Sequence, residues 1–368
     1  MTHRTDDIEV AAAGRLDALC DGLRVALAAN PATAELACAA MAPMRDKGLA
    51  HDHIRLGATG WLARVPKQSQ MDLPAEANLA YQAACFRRAA AGGHVPRLLD
   101  VLKPGAGLPH GALVVEAIDG RPARLPEDLP AIAHALGSIH ALPRPVLTAP
   151  LLAPADPLAA MRDEVMAQGA FLAEARLDGV TLALVEREMS ALLALCRAPA
   201  RPATCLISFD AHPGNFLIRP DKTAVLVDLE KARYGAPALD LAHATLYSST
   251  TWDVESRAIL TVAEIAAFYQ VWSMVPGVPA GAGCNPYWHG ALRRAMWLWS
   301  VTWCAKWRVL SSAPKRAGAD GEDWSAEASD DALITHVRER VGHYLSAEIV
   351  VRSLDEFSAL ERLLGDGR

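Results

Sequence analysis

The sequence predicts an α+β chain in two parts. A smaller N-terminal part rich in short strands ends near residue 118, and a larger, mainly helical part follows. Three observations carry this. Between residues 44 and 118, short apolar runs separated by Gly- and Pro-containing turns read as strands. After residue 128, apolar residues recur at helical spacing in one segment after another. The helices are interrupted once, at 204–241, by two apolar runs flanking a turn that holds the densest set of chemistry-bearing side chains in the chain.

Composition bounds the possibilities. A chain of 368 residues, 52% hydrophobic, has room for one large domain or two, each with a core. Lys and Arg number 36 against 42 Asp and Glu, a net charge of −6. That balance gives no general attraction to nucleic acid or to an anionic membrane. No apolar run reaches spanning length, because Arg293, Arg294 and Lys306 break the most hydrophobic late segment. The polar start, Met-Thr-His-Arg-Thr-Asp-Asp, leads into a helix and does not read as a signal sequence, so a cytoplasmic location is expected. Cysteines 20, 38, 85, 196, 205, 284 and 304 show no paired spacing and read as buried free thiols in a reducing compartment.

In the N-terminal part, residues 8–29 form an amphipathic helix with Leu16, Leu19, Leu23 and Leu27 on one face, ended by Asn30-Pro31. A shorter helix is predicted over 33–40. Strands follow around Gly48–Leu56 and Trp61–Val65, joined by the turn Gly57-Ala-Thr-Gly60. The second strand carries Arg64, which is either a solvated strand residue or a fixed cation; Lys67, beyond Pro66, is the competing cation. Pro74-Ala-Glu76 opens a helix to about Ala91, and Glu76 in its first turn suits a helix start in any case. His94–Leu102 and Ala112–Ile118 are strands, and the latter ends in Asp119-Gly-Arg-Pro.

In the C-terminal part, a helix over 128–141 ends in His140, residues 146–155 are a Pro- and Ala-rich connector, and helices are predicted over 156–175 and 180–196. Beyond 241, helices are predicted at Ala258–Trp272, at Tyr287–Leu310 and, carrying His343 and Tyr344, over 331–363. A polar loop or lid is predicted at 312–330. Trp299, Trp303 and Trp307 recur every four residues on one helix face. They belong to the core or, with Trp252, Trp272 or Trp288, line a binding pocket.

The segment 204–241 carries the chemistry. Asp210 and Asn215 lie five apart in a turn stiffened by Pro213 and loosened by Gly214. After a polar reversal at 219–223, the strand Ala224–Val227 delivers Asp228. Two carboxylates and a carboxamide so gathered suit phosphoryl transfer, with Asp210 as the base and with Asn215 and Asp228 as oxygen ligands for Mg²⁺. Asp-x-x-x-x-Asn followed by a strand-end Asp is the spacing of a kinase catalytic loop. Any one of these elements alone would be an ordinary turn; their order and spacing together point to the site.

These motifs resemble the catalytic core of the aminoglycoside phosphotransferase and choline kinase-like family. Asp210-Ala-His-Pro-Gly-Asn215 matches its catalytic loop, Val-Asp228-Leu-Glu its metal motif, and Asp240-Leu-Ala the acid that buttresses the loop. The sequence departs from the family at Ser208-Phe209, where His-Gly is usual. Gly48–Leu56 resembles its phosphate-covering loop and second strand, poorer in glycine than the loop of a protein kinase. The resemblance implies a two-lobed protein-kinase-like fold. Its small antiparallel-sheet N-lobe (1–118, with a helical leader) would bind nucleotide, and its mainly helical C-lobe (119–368) would hold the catalytic loop, the metal site and the acceptor-binding helices. It implies Mg²⁺ and ATP, or GTP in its place. It further implies Arg64 on the α/β-phosphates held by Glu76, adenine held by backbone groups of Glu116 and Ile118, a structural role for His140, and a small-molecule hydroxyl as acceptor.

Residues 244–312 set Asp253, Glu255 and Glu264 against Arg257, Arg293, Arg294, Lys306 and Arg308. That argues against a polycationic antibiotic and for a metabolic acceptor, either choline-like over aromatic faces or a hydroxylated anion. A protein substrate is disfavoured, because the eleven residues between Asp228 and Asp240 leave little peptide-docking platform. The alternative is a catalytically weak homologue that binds nucleotide or a partner. Neither nucleic acid nor membrane is expected as a partner, and the protein is expected to be a monomer or homodimer.

Overall fold

The computed structural model describes residues 2–44, 48–279, 281, 283–311 and 331–365. It divides into two compact units. The first takes in the described residues of 2–84 and 96–118 together with 331–334, and the second the described residues of 85–95, 119–311 and 335–365.

The first unit is built on an antiparallel sheet of five strands, β1 (Met41–Pro43), β2 (His51–Leu56), β3 (Trp61–Pro66), β4 (Leu98–Leu102) and β5 (Ala112–Glu116), in the order β1-β2-β3-β5-β4. Arg64 sits on the central strand, paired with His53 on one side and Leu113 on the other. The turn into β3 uses Gly57 and Gly60 at φ +53° and +80°, where a side chain would be strained. Helix α1 (Thr2–Ala29) begins earlier than the apolar pattern indicates. Leu19, Leu23 and Leu27 are buried with Ile54, Leu56, Val65 and Val114 in one core. Each fully buried leucine contributes roughly 2 kcal/mol. A Cβ on Gly22 would fall 2.1 Å from the carbonyl oxygen of Gly107, so α1 meets the 105–108 turn backbone to backbone.

The segment expected as a helix over 33–40 is a single 3₁₀ turn, Ala34–Cys38, and three-residue β1 is too short to show an alternation. Helix α2 (Ala75–Ala89) buries Asn78, Leu79 and Gln82 on one face.

The second unit holds two small sheets among helices. Strand β6 (Arg121–Pro122) pairs with β8 (Phe216–Ile218), which forms a hairpin with β9 (Ala224–Leu226). Strand β7 (Cys205–Ile207) pairs with β10 (Arg233–Gly235). The helices are α3 (Leu129–His140), α4 (Pro157–Gly169), α5 (Gly179–Arg197), α6 (Pro237–Thr245), α7 (Tyr247–Thr250), α8 (Val262–Ser273), α9 (Pro286–Leu310), α10 (Asp331–Tyr344) and α11 (Ala347–Gly365). Polar side chains start several of them: Asp156 caps α4, Asp178 caps α5, Thr261 and Glu264 form a capping box on α8, and Asn285 caps α9. All nine residues of α6 are buried, and α6 packs on α9.

Two expectations change here, and a third is untested. Helix α4 stops at Gly169, short of 175. The helix expected over 331–363 is two helices, broken at Leu345-Ser346 without glycine or proline. The loop or lid expected at 312–330 lies outside the described residues. All seven cysteines are free, though Cys38 is exposed and Cys196 and Cys284 are half-buried. Among the described residues no helix is long and apolar enough to cross a membrane.

Candidate active site

The loop that carries Asp210 follows β7 and is fixed by its backbone. Ser208 and Phe209 donate their N–H groups to the two carboxylate oxygens of Asp240, at 2.7 and 2.8 Å. Asp240 is fully buried in the first turn of α6. His140, the last residue of α3, donates from Nε2 to Asp240 Oδ2 at 3.1 Å. Its Nδ1 accepts from the Trp272 indole N–H at 2.9 Å, which requires the proton on Nε2. A buried relay from α8 through α3 and α6 therefore holds the turn. The structural role expected of His140 and the buttressing role expected of Asp240 are both visible in this geometry.

The departure at Ser208-Phe209 leaves that path intact. Phe209 sits at φ +60°, a conformation natural to glycine that costs a bulky residue about 1–2 kcal/mol. The two N–H bonds to the Asp240 carboxylate and the burial of the ring offset this. The ring lies 3.8 Å below the Arg233 guanidinium and edge-on to Trp299 at 5.3 Å. Ser208 Oγ accepts from the Asp210 N–H at 3.2 Å.

The three sequence-predicted residues of this loop and hairpin come together. Asn215 donates from Nδ2 to the backbone carbonyl of Asp210 at 2.9 Å, leaving its Oδ1 without a donor among the described residues. The Val227 N–H donates to the Asn215 carbonyl at 2.9 Å, which brings the strand end with Asp228 beside Asn215. Asp228 Oδ1 accepts the Glu230 N–H at 3.3 Å. Gly214 is required by close approach: a Cβ there would lie 2.6 Å from Asp253 Oδ2 and 2.9 Å from the His212 ring.

Asp210 is not solitary. Lys231 Nζ lies 2.7 Å from its Oδ2, and His243 Nδ1 lies 3.9 Å from its Oδ1. Burial pushes the Asp210 carboxyl up, but Lys231 first, then His212 and His243, pull it below the usual range, so it is ionised at neutral pH. Burial lowers the Lys231 ammonium, and Asp210 and Glu230 more than offset this. Burial depresses His243 to about 4, so its ring is neutral.

In the first unit, Arg64 is buried on β3 with its guanidinium 3.2 Å from His51 Nδ1, and His51 Nε2 meets Gln82 Oε1 at 3.0 Å. Glu76 is not brought to Arg64. It is exposed in the first turn of α2, and its side chain makes no ion pair with Arg64 among the described residues. Lys67 is also buried, 3.8 Å from Asp52. Glu116 donates its N–H to the Arg97 carbonyl, and Ala117 donates to that of Gly60. Nothing among the described residues accepts from the Ile118 N–H.

The tryptophans divide. Trp299 lies beside the Asp210 loop, its indole donating to Glu164 Oε2 at 3.0 Å and its ring 5.7 Å from Lys231 Nζ. Glu164 is also ion-paired with Arg233. Trp303 meets Trp252, which stacks on Tyr344. Trp272, Trp288 and Trp307 are core. A cavity of about 350 Å³ is lined by Leu152, Met161, Glu164, Phe209, Arg233 and Leu239, among others.

Two of the five cations counted over 244–312 are engaged by acids of other helices. Arg293 is fully buried against Glu356, Thr245 and Tyr269, and Arg294 pairs with Glu188 and Glu361. Their acidic partners lie outside that window.

Sequence reasoning did not single out Lys231, His243, Glu164 or Arg233. The available signal was Lys231, three residues past Asp228. Its meaning depends on the β7–β10 pairing, which is not local.

A model of the phosphotransferase enzyme family matches residues 46–277. Among solved structures, a choline/ethanolamine kinase family protein from Mesorhizobium loti superposes with a TM-score of 0.55 at 20% identity, covering 94% of this chain and 99% of that one. An aminoglycoside phosphotransferase from Alicyclobacillus acidocaldarius gives 0.52 at 17% identity, covering 90% and 93%. A spectinomycin phosphotransferase solved with ADP and spectinomycin gives 0.54 at 12% identity, covering 86% and 93%. At these identities the likeness is one of fold, a kinase-like fold with a small antiparallel sheet and a mainly helical remainder. No curated protein matches the sequence.

Proposed function

We propose that this chain, which belongs to the phosphotransferase enzyme family, is a kinase that moves the γ-phosphoryl group of ATP to a hydroxyl of a small molecule. The observation that carries this reading is the geometry around Asp210. It stands on a loop fixed by Asp240, with the Asn215 carboxamide bonded to its own backbone carbonyl.

Asp210 orients the acceptor hydroxyl and accepts its proton. Asn215 Oδ1 and the Asp228 carboxylate are hard oxygen donors and fit Mg²⁺, which needs few protein ligands. When bound, Mg²⁺ supplies neutralising charge to the phosphate oxygens. Arg64 anchors the α/β-phosphates, oriented by His51 and Gln82 where Glu76 was expected. The unpaired N–H of Ile118 and the carbonyl of Glu116 suit the adenine edge. Residues 1–118 thus take the nucleotide role, and 119–368 the catalytic and acceptor role.

The acceptor we propose is a neutral or singly charged alcohol. Charges near Asp210 are paired internally, Lys231 with Asp210 and Arg233 with Glu164. Arg293 and Arg294 are likewise engaged, which weakens the case for an anionic acceptor. The faces of Phe209 and Trp299 already carry the chain's own cations, so a quaternary ammonium would compete with Arg233 and Lys231 there. We further propose a cytoplasmic enzyme, monomeric or homodimeric, without nucleic acid or membrane partners.

One observation favours a second reading. Because the base is already paired with Lys231, the chain would also suit a nucleotide-binding homologue with little turnover.

Isothermal titration with ATP, with and without Mg²⁺, on wild type and Asp228→Ala tests the nucleotide site, and an acceptor screen follows. Binding that needs both Mg²⁺ and Asp228, with an alcohol consumed, supports the kinase. Binding without turnover of any acceptor supports the second reading. Consumption of polycationic antibiotics alone overturns the acceptor class.

A further inference from the structure

We propose that Lys231 is a second catalytic residue, holding Asp210 Oδ2 in the resting site and moving onto an equatorial oxygen of the transferring phosphoryl group during reaction. The proposal rests on the kinase reading above and names a role in the same site.

The geometry divides the two oxygens of Asp210. Oδ2 is taken by Lys231 Nζ at 2.7 Å. Oδ1 faces His243 Nδ1 at 3.9 Å, beyond hydrogen-bonding distance, and that buried nitrogen has no hydrogen-bond partner among the described residues. Oδ1 is therefore the oxygen open to an acceptor hydroxyl. A hydroxyl held there by a hydrogen bond of about 2.8 Å places its oxygen only a few ångströms from Lys231 Nζ. The ammonium is a mobile point charge with three donors on a four-carbon stem, so the shift needed lies within its own rotamers.

The surroundings favour such a shift. The Lys231 side chain is 14% exposed and that of Asp210 16%, so water screens the pair weakly. Trp299 lies beside the ammonium, and Glu230 and Asp228 act on it along with Asp210. A lysine needed only to neutralise Asp210 could do so from solvent. Here it is walled in at the point where negative charge would develop.

The step balances. The acceptor oxygen forms a bond to the γ-phosphorus as the bond from that phosphorus to the β–γ bridging oxygen breaks, and the electron pair of that bond leaves on ADP. The acceptor proton goes to Asp210 Oδ1. Lys231 stays an ammonium and changes partner from Oδ2 to a phosphoryl oxygen. Before a phosphoryl group is present, the same lysine occupies the base and restrains attack by water.

The test measures affinity. Wild type, Lys231→Met and Lys231→Arg are titrated with Mg-ADP alone and with Mg-ADP plus aluminium fluoride, which mimics the phosphoryl group in flight. Thermal unfolding confirms that each variant is folded. In wild type, aluminium fluoride is expected to tighten ADP binding about 100-fold, the scale of one donor aimed at transition-state charge. In Lys231→Met the tightening falls to within about threefold while affinity for ADP alone changes less than twofold, and Lys231→Arg retains most of it. Tightening in Lys231→Met equal to wild type, or an equal loss of affinity for ADP with and without aluminium fluoride, overturns the role of Lys231 and leaves the kinase reading standing. Failure of wild type to bind Mg-ADP sinks the kinase reading and this proposal with it.

Discussion

The Asp210 loop and the Arg64 strand are supported in different ways. The loop is held by its backbone: Asp240 accepts from the N–H groups of Ser208 and Phe209, and it is itself fixed by His140 and Trp272. Arg64 is held by side chains, through His51 to Gln82. A backbone-directed contact does not depend on which side chains the loop carries, so Ser-Phe stands where the family has His-Gly and the turn keeps its shape. A contact between side chains fixes only a role, and here His51 and Gln82 stand beside Arg64 while Glu76 is exposed.

The largest effect should come from removing the support of the loop. Asp240→Ala leaves two buried N–H groups and His140 without their acceptor, and it is expected to destabilise the protein by about 3–5 kcal/mol. Denaturant unfolding measures this, and a loss below about 1 kcal/mol would break the distinction drawn here. Asp210→Asn should lower single-turnover transfer by about 10³-fold while nucleotide affinity stays within twofold. Gln82→Leu frees His51 and should weaken nucleotide binding about tenfold, whereas Glu76→Ala should change it less than twofold. The reverse order in titration would restore Glu76 as the partner of Arg64.

The buried neutral His243 adds a pH term. Its folded value of about 4 lies below the ordinary 6.5, so the unfolded chain binds the proton first. The stability it contributes is present above pH 6.5 and is lost as the pH falls towards 4. Between pH 7 and pH 5 the loss is about 2 kcal/mol, and His243→Gln should flatten that part of the unfolding profile. The smallest effect is expected at Phe209→Gly. Relief of the left-handed backbone partly offsets the lost ring, for a net destabilisation of about 1–2 kcal/mol.

What the sequence revealed was local. Asp210, Asn215 and Asp228 fall within nineteen residues, and the strand and turn signals between them place all three. The leucine face of α1 and the strands around Arg64 were equally readable from period. The failures are matters of resemblance and of distance along the chain. Glu76 was set beside Arg64 by resemblance alone, and it is exposed in the first turn of α2, where a glutamate suits a helix start in any case. Arg293 and Arg294 were counted as available cations, yet Glu356, Glu361 and Glu188 sit on other helices. Lys231, Trp299 and Glu164 meet only because β10 lies against β7 and α4 against α9, pairings that no nearby residues announce. The break before α11 carries neither glycine nor proline, so the apolar pattern ran straight across it.

Trp299 has an optical consequence. An ammonium 5.7 Å from an indole acts on a chromophore as a local electric field, and the hydrogen bond to Glu164 fixes the orientation of that chromophore. Shifting the charge by a few ångströms changes the energy gap between the ground and excited states of the ring. The emission colour of this one residue therefore depends on whether the carboxylate beside it is paired, so the protein carries a built-in dye for the state of its own base.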